Sequence, residues 1–417
     1  MRALAAVLAA IAVVSDVHAQ EAPCPPVADV TLLVRCAQGS SETLVRARAG
    51  LDAAQARRDI ASRLLPANPS LEVGAGHRTI EGGATDVDRS IELSQQIEIG
   101  GQRGARVDAA EAELLAARAS ADATERLVAA EVLAAAARVV EGRQALSLVR
   151  EQRDAAARLA EVSRARAGKG MAAPFESELA EAARIQALRE ERTRALDLSE
   201  AEGLLAAAVG SDVQLAAGAP LPSVAQPLLA ISEMERNAIE RQPEVVAAKS
   251  EVEAALARAA LLRRERIPDL TIAAGYKHEE QADVIGGRLS IPLPLVRRNQ
   301  GEIAEQEART AQAAARFRQA ELRARLSVRA AYASWQRAQD AVKGIPDDLE
   351  SRLRADVESL RQAYERGTLQ LPLVLASLRE VQAARRTVLE ARTEAVLASI
   401  ELARVTASSP CSSGGCR

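Results

Sequence analysis

The feature that most constrains this chain is an internal duplication. The stretch Pro69-Ser70-Leu71-Glu72-Val73-Gly74-Ala75-Gly76-His77-Arg78 recurs in kind, 199 residues later, as Pro268-Asp269-Leu270-Thr271-Ile272-Ala273-Ala274-Gly275-Tyr276-Lys277. The run from Ala105 to Ala112 is echoed by that from Gly301 to Ala308, and Gly168 falls opposite Gly367. Three landmarks in one order, at nearly constant offset, give both halves a single plan. Whatever the first half folds into, the second must fold into again.

Hydrophobic periodicity supplies the plan. Apolar residues at three-to-four spacing predict a helix over 41–65 and again over 232–266, each ending near a proline. Two short strands follow in each half, over 71–80 and 87–99, then over 270–278 and 284–291. In the clearest strand Val87, Ile91, Leu93, Ile97 and Ile99 alternate with Asp88, Ser90, Glu92, Ser94, Gln96 and Glu98. One strand face is therefore mainly apolar and the other polar. A helix of unusual length comes next, predicted to run uninterrupted over 104–168 and over 301–367. At about 1.5 Å of rise per residue each would extend roughly 100 Å. Val107, Leu114, Ala121 and Val128 fall seven apart, the spacing of lateral helix packing. Turns at Gly168-Lys169-Gly170 and Arg366-Gly367-Thr368 then reverse the chain into shorter helices over 174–209 and 372–407.

Composition fits long helices lying side by side. The chain holds 417 residues but only two Phe, three Tyr and one Trp, so the side chains that dominate compact cores are scarce. Alanine, with the best helix propensity, must do much of the packing. Residues 1–19 read as an export signal: Arg2, an apolar run, then Val17-His18-Ala19. Residues 20–40 form an N-terminal tail, 41–209 the first repeat, 210–231 a proline-bearing connector, 232–407 the second repeat and 408–417 a C-terminal tail. In an oxidising compartment Cys24 can form a disulfide with Cys36, the better of the two close pairs; the other is Cys411 with Cys416.

Several function classes drop out. With 54 basic and 57 acidic residues interspersed there is no basic footprint, so no nucleic-acid partner is expected. His77 and His278 lack ligating neighbours at metal spacing, so no metal site is expected. Gly100-Gly101-Gln102-Arg103-Gly104 opens a helix far too long for a dinucleotide-binding crossover, and no nucleophile-base grouping can be assembled. Neither a cofactor nor enzymatic activity is expected.

Each strand is close to the 9–11 residues that cross a bilayer when tilted. Every backbone group must be paired in hydrocarbon, so an open four-stranded sheet cannot span alone. Several copies must close one barrel, its polar face wet and its apolar face against outer-membrane lipid. The competing reading is a helix-rich soluble protein with two surface hairpins.

Particular passages resemble the TolC-like outer membrane factors (outer membrane efflux proteins), and among them the cobalt-zinc-cadmium type. These passages are Leu64-Leu65-Pro66-Ala67-Asn68-Pro69-Ser70-Leu71, Glu98-Ile99-Gly100-Gly101-Gln102-Arg103, Arg266-Ile267-Pro268-Asp269-Leu270, and Ile291-Pro292-Leu293-Pro294-Leu295 before Arg298-Asn299-Gln300-Gly301-Glu302-Ile303. The resemblance implies a mainly α fold with a membrane β-barrel portion: a homotrimer with a 12-stranded barrel in the outer membrane and an α-helical tunnel in the periplasm. It implies a passive exit duct for metal ions or small toxic compounds, coupled through a periplasmic adaptor to an inner-membrane efflux pump. On this reading Gly168, Lys169, Gly170, Arg366, Gly367 and Thr368 are the adaptor-docking turns, and Tyr364, Glu358 and Glu365 belong to the periplasmic entrance. The alternative is a periplasmic adaptor or coiled-coil scaffold that crosses no membrane.

Overall fold

The computed structural model describes residues 24–79, 85–222, 229–279, 282–296, 298–346 and 348–406. The expected export signal, the C-terminal tail with Cys411 and Cys416, and part of the connector lie outside the described residues.

The first repeat begins earlier than the periodicity suggested. After β1 (Val27–Ala28), the Asp29 carboxylate accepts from the Leu32 amide at 2.7 Å and starts α1 (Val30–Ser40). A break at Ser41, with ψ of 121°, separates it from α2 (Glu42–Ala61). The hairpin β2 (Ser70–Thr79) and β3 (Thr85–Ile97) follows, then α3 (Gln102–Gly168), α4 (Pro174–Val209) and β4 (Gln214–Leu215). The second repeat answers element for element: α5 (Ile231–Arg241), α6 (Pro243–Arg264), β5 (Leu270–Glu279), β6 (Ala282–Ser290), α7 (Gln300–Lys343), α8 (Leu349–Glu365) and α9 (Leu371–Val405).

Three expectations need correction. The opening helix of the second repeat, expected to be continuous over 232–266, is two helices broken at Gln242, where Pro243 forces the preceding residue into extended conformation. The tail over 20–40 contains α1, whose Leu33, Val34, Cys36 and Ala37 are buried. The second long helix is not continuous: it stops at Lys343 and restarts at Leu349, because Pro346 offers no amide to continue the ladder. Its counterpart α3 runs unbroken for 67 residues. Strand ends differ from the sequence reading by one or two residues.

The four long strands form one antiparallel sheet in the order β2-β3-β5-β6. Leu93 of β3 sits between Leu71 of β2 and Ala274 of β5, so the two hairpins join through the second strand of one repeat and the first of the other. Helices α2, α4, α6 and α9 all pack along α3. The main core gathers Val132, Ala136 and Val139 of α3 with Leu33 of α1, Leu44 of α2 and Leu205 and Val209 of α4. Its echo in the second repeat joins Met234 and Ala238 of α5, Val328 and Ala331 of α7, and Leu402 and Val405 of α9. Both cores are built of small and medium side chains, which is why helices of this length can run close together.

Candidate functional site

Two regions stand out as candidate sites, and they sit at opposite ends of α3. The first is the sheet. Cross-strand register puts Leu71, Val73, Ile91, Leu93, Ile272, Tyr276, Ile285 and Leu289 on one face, all exposed. The opposite face carries Ser70 against Ser94, their hydroxyls 2.7 Å apart, and ion pairs of Arg78 with Asp88 and Glu279, of Lys277 with Glu279, and of Glu92 with Arg288. Toward the hairpin end the apolar face also bears Arg89 and the pair of His278 with Asp283, but a sheet with one mainly apolar face and one charged face has no stable place in water or lipid by itself. β2 and β6 are its edges, with no further strand pairing among the described residues.

The second region is the pair of helical turns. In the first, the Gly170 and Met171 amides bond back to Ala167 and Arg166, and Gly170 takes φ of 72°. In the second, the Gly367 and Thr368 amides bond to Tyr364 and Ala363, with Gly367 at φ of 77°. Both are left-handed helix ends in which a residue other than glycine is strained. Gly168, by contrast, is the last residue of α3, with open space around the position of a Cβ. Gly168, Lys169, Gly170, Arg366, Gly367 and Thr368 are all exposed. Beside them Met171 and Phe175 leave 59% and 58% of their surface bare.

The turns are held side by side. The Arg166 guanidinium lies 4.9 Å from the Tyr364 ring centroid and donates to the Tyr364 carbonyl. Tyr364 itself is fully buried among Leu159, Leu371 and Val374, with its hydroxyl 3.4 Å from Glu176. It therefore pins α8 against α3 and α9 from inside the bundle, where the sequence reading had expected a residue of the entrance surface. Glu358 and Glu365 are exposed and share Arg361 between them. The hydrogen bonds from Arg361 and then Gln362 bring the Glu358 carboxyl down to about 2.

Sequence reasoning missed the charged residues that order these helices. Arg361 was visible as the i+3 and i−4 partner of Glu358 and Glu365. Arg166 meets Tyr364 across 198 residues, which only aligning the two turns could have suggested. Arg385 of α9 had no sequence signal at all: its side chain is wholly buried, donating to Glu151 of α3 at 2.8 Å and to Glu350 of α8 at 2.9 Å. Burial pulls its pKa down, but the bonds to Glu151 and Glu350 outweigh that and leave it raised. The pair with Glu350 anchors α8 one turn beyond the break at Pro346. Near the N-terminus a disulfide joins Cys24 to Cys36, tying the approach to β1 onto α1.

Among the described residues no group of three His, Cys, Asp or Glu side chains could hold a metal ion, and no helix is long and apolar enough to cross a membrane.

Comparison with known proteins agrees with this arrangement. The sequence model of the outer membrane efflux protein family matches residues 33–211 and 235–408. The cobalt-zinc-cadmium resistance protein CzcC of Cupriavidus metallidurans is 28% identical over 218 residues, 51% of this chain and 52% of that one. The match thus spans about half the length of the curated relative. Among solved structures CusC superposes with a TM-score of 0.75 at 19% identity, covering 91% of this chain and 92% of its own. A membrane protein from Pseudomonas aeruginosa gives 0.76 at 19% identity, covering 91% and 90%, and VceC from Vibrio cholerae gives 0.73 at 18%, covering 91% and 96%. At these identities the likeness shows a shared fold.

Proposed function

The chain belongs to the outer membrane efflux protein family, and from that premise we propose that it is one subunit of a homotrimeric outer-membrane exit duct. The observation that carries this reading is the sheet: four strands, one bare apolar face, one charged face and two unpaired edges, mounted on a 67-residue helix. Three such sheets closed edge to edge would make a 12-stranded barrel with its charges inward and its apolar residues against lipid. The long helices would continue the passage into the periplasm for about 100 Å.

Such a duct performs no covalent step. It offers a wet, charge-lined path, and the driving energy comes from an inner-membrane pump joined through a periplasmic adaptor. Gly168, Lys169, Gly170, Arg366, Gly367 and Thr368 form the docking tips, and bare Met171 and Phe175 give an adaptor apolar surface to cover. Glu358 and Glu365 would stand at the entrance. The cargo is metal ions or small toxic compounds, a reading supported by the name of the relative that matches half of the chain.

The test combines location, mass and export. Expressed in a host lacking its own exit duct, the protein should fractionate with the outer membrane, run in mild detergent at about three times the chain mass, and restore resistance only with pump and adaptor present. A detergent-free monomer in the periplasmic fraction would overturn the duct.

A further inference from the structure

The repeat that built the chain also sets how one copy meets the next. Gly101 and Asn299 both adopt left-handed conformations at the strand-to-helix corner, and the Gln102 and Gln300 side chains accept from the Gly100 and Arg298 amides, each at 2.6 Å. This fixes β6 on β3 with a shift of 198 residues, while Pro69 and Pro268 fix β5 on β2 with a shift of 199. The two shifts carry the pair Glu72–Glu92 onto Thr271–Ser290, which is an observed pair.

Within the chain, β3 of the first repeat lies against β5 of the second. The same step taken once more lays β6 against β2 of another copy, and these are the sheet's two edges. Resting on the duct reading, we propose that the seam between subunits has a defined register. Leu289, Ile291 and Leu293 of one copy lie opposite His77, Ala75 and Val73 of a second copy. The positions follow residue by residue from the observed pairs Ile91–Tyr276, Leu93–Ala274 and Gln95–Ile272.

Side-chain alternation provides an independent check. A slip of one residue would send every side chain to the wrong face. The derived register brings odd-numbered residues together, so Leu293, 75% exposed in the single chain, meets Val73, 70% exposed, on the apolar face. It also extends pairing past Ser290, where β6 ends in the single chain. At the corner, Gln102 donates to the Ile267 carbonyl at 2.7 Å. The corresponding bond across the seam runs from Gln300 to the Asn68 carbonyl of the second copy.

Cysteine pairs in the full-length protein, oxidised in outer membranes and resolved by denaturing electrophoresis, test the register. V73C with L293C should give crosslinked multimers in high yield, well above either single substitution and above the unmodified protein, which controls for the native cysteines. L71C with L293C and V73C with L289C, each displaced along the strand, should crosslink several-fold less. If the protein has trimer mass but a displaced pair crosslinks best, the register is wrong and the duct reading stands. If no pair crosslinks and the mass is that of a monomer, both fall.

Discussion

Arg166 and Tyr364 join the two helical hairpins of the chain at their turns. The Arg166 guanidinium caps the Tyr364 ring at 4.9 Å from its centroid and bonds to the carbonyl of the same residue. The contact joins the end of α3 to the end of α8 and so holds the two exposed turns side by side. Gly367 extends the joint, since its Cα lies where an added Cβ would stand 3.4 Å from the Arg166 guanidinium.

Removing Arg166 should separate the turns while leaving the rest of the chain folded. A partly exposed cation over a ring contributes about 0.5–1 kcal/mol, and its bond to a carbonyl contributes on the order of 1.5–3 kcal/mol. R166A is therefore expected to lower the melting temperature by a few degrees and to make limited proteolysis near both turns several-fold faster. Y364F, which keeps the ring and the main-chain carbonyl, should behave nearly as the unmodified protein. Unchanged cleavage in R166A would show that Leu159, Leu371 and Val374 hold the turns unaided.

The two sheet faces should differ in their access to water. Cysteines at Glu92 or Ser94, on the charged face, are expected to react readily with a membrane-impermeant thiol reagent in intact outer membranes. Those at Ile91 or Leu93 should react at least several-fold more slowly, because lipid covers that face. Equal rates at all four positions would point to a hairpin bathed in water on both sides.

The duplicated plan, the strand faces and the four long helical arms could all be read from spacing, because periodicity reports which face of an element is buried. What escaped was set by single residues acting against the pattern. Pro346 interrupts a helical stretch whose apolar spacing looks continuous on both sides. Leu33 and Ala37 belong to the core of the first repeat, yet they precede the point at which its periodicity becomes obvious. The site was legible as location only: the exposed turns could be found from their glycines, but the burial of Tyr364 depends on α3, α4 and α9 converging on it.

The place of α1 in the core yields a stability prediction. Leu33 is fully buried, so L33A should cost about 2–5 kcal/mol, lost burial and a residual cavity together. Leu64 is 76% exposed in the single chain, and L64A should leave the melting temperature almost unchanged. Similar melting of the two variants would return α1 to the status of a detachable tail.

Acid should weaken the tip through Glu358. Its folded pKa, lowered from 4.5 to about 2 by Arg361 and Gln362, means that the charged form gains stability on folding. That contribution is complete above about pH 4.5 and is lost as pH falls toward 2. The melting difference between the unmodified protein and E358Q should hold steady from pH 7 to 5 and then narrow below pH 4.5. A difference that stayed constant down to pH 3 would mean that Arg361 is satisfied by Glu365 alone.

The docking role of the turns calls for a substitution that adds bulk without straining the backbone, and the two turns differ in this respect. At Gly367 any larger residue must take a positive φ, at a cost of roughly 1–2 kcal/mol, and it would also press on Arg166. Lost export in G367W would therefore mix strain with obstruction. Gly168 has helical geometry and open space around it, so G168W adds an indole to the tip at no conformational cost. With the barrel some 100 Å away, G168W should insert into the outer membrane and form trimers normally, while export with pump and adaptor present falls at least tenfold. G168A, small and helix-favouring, should export normally and serves as the control. Normal export by G168W would show that the partner docks elsewhere along the helices.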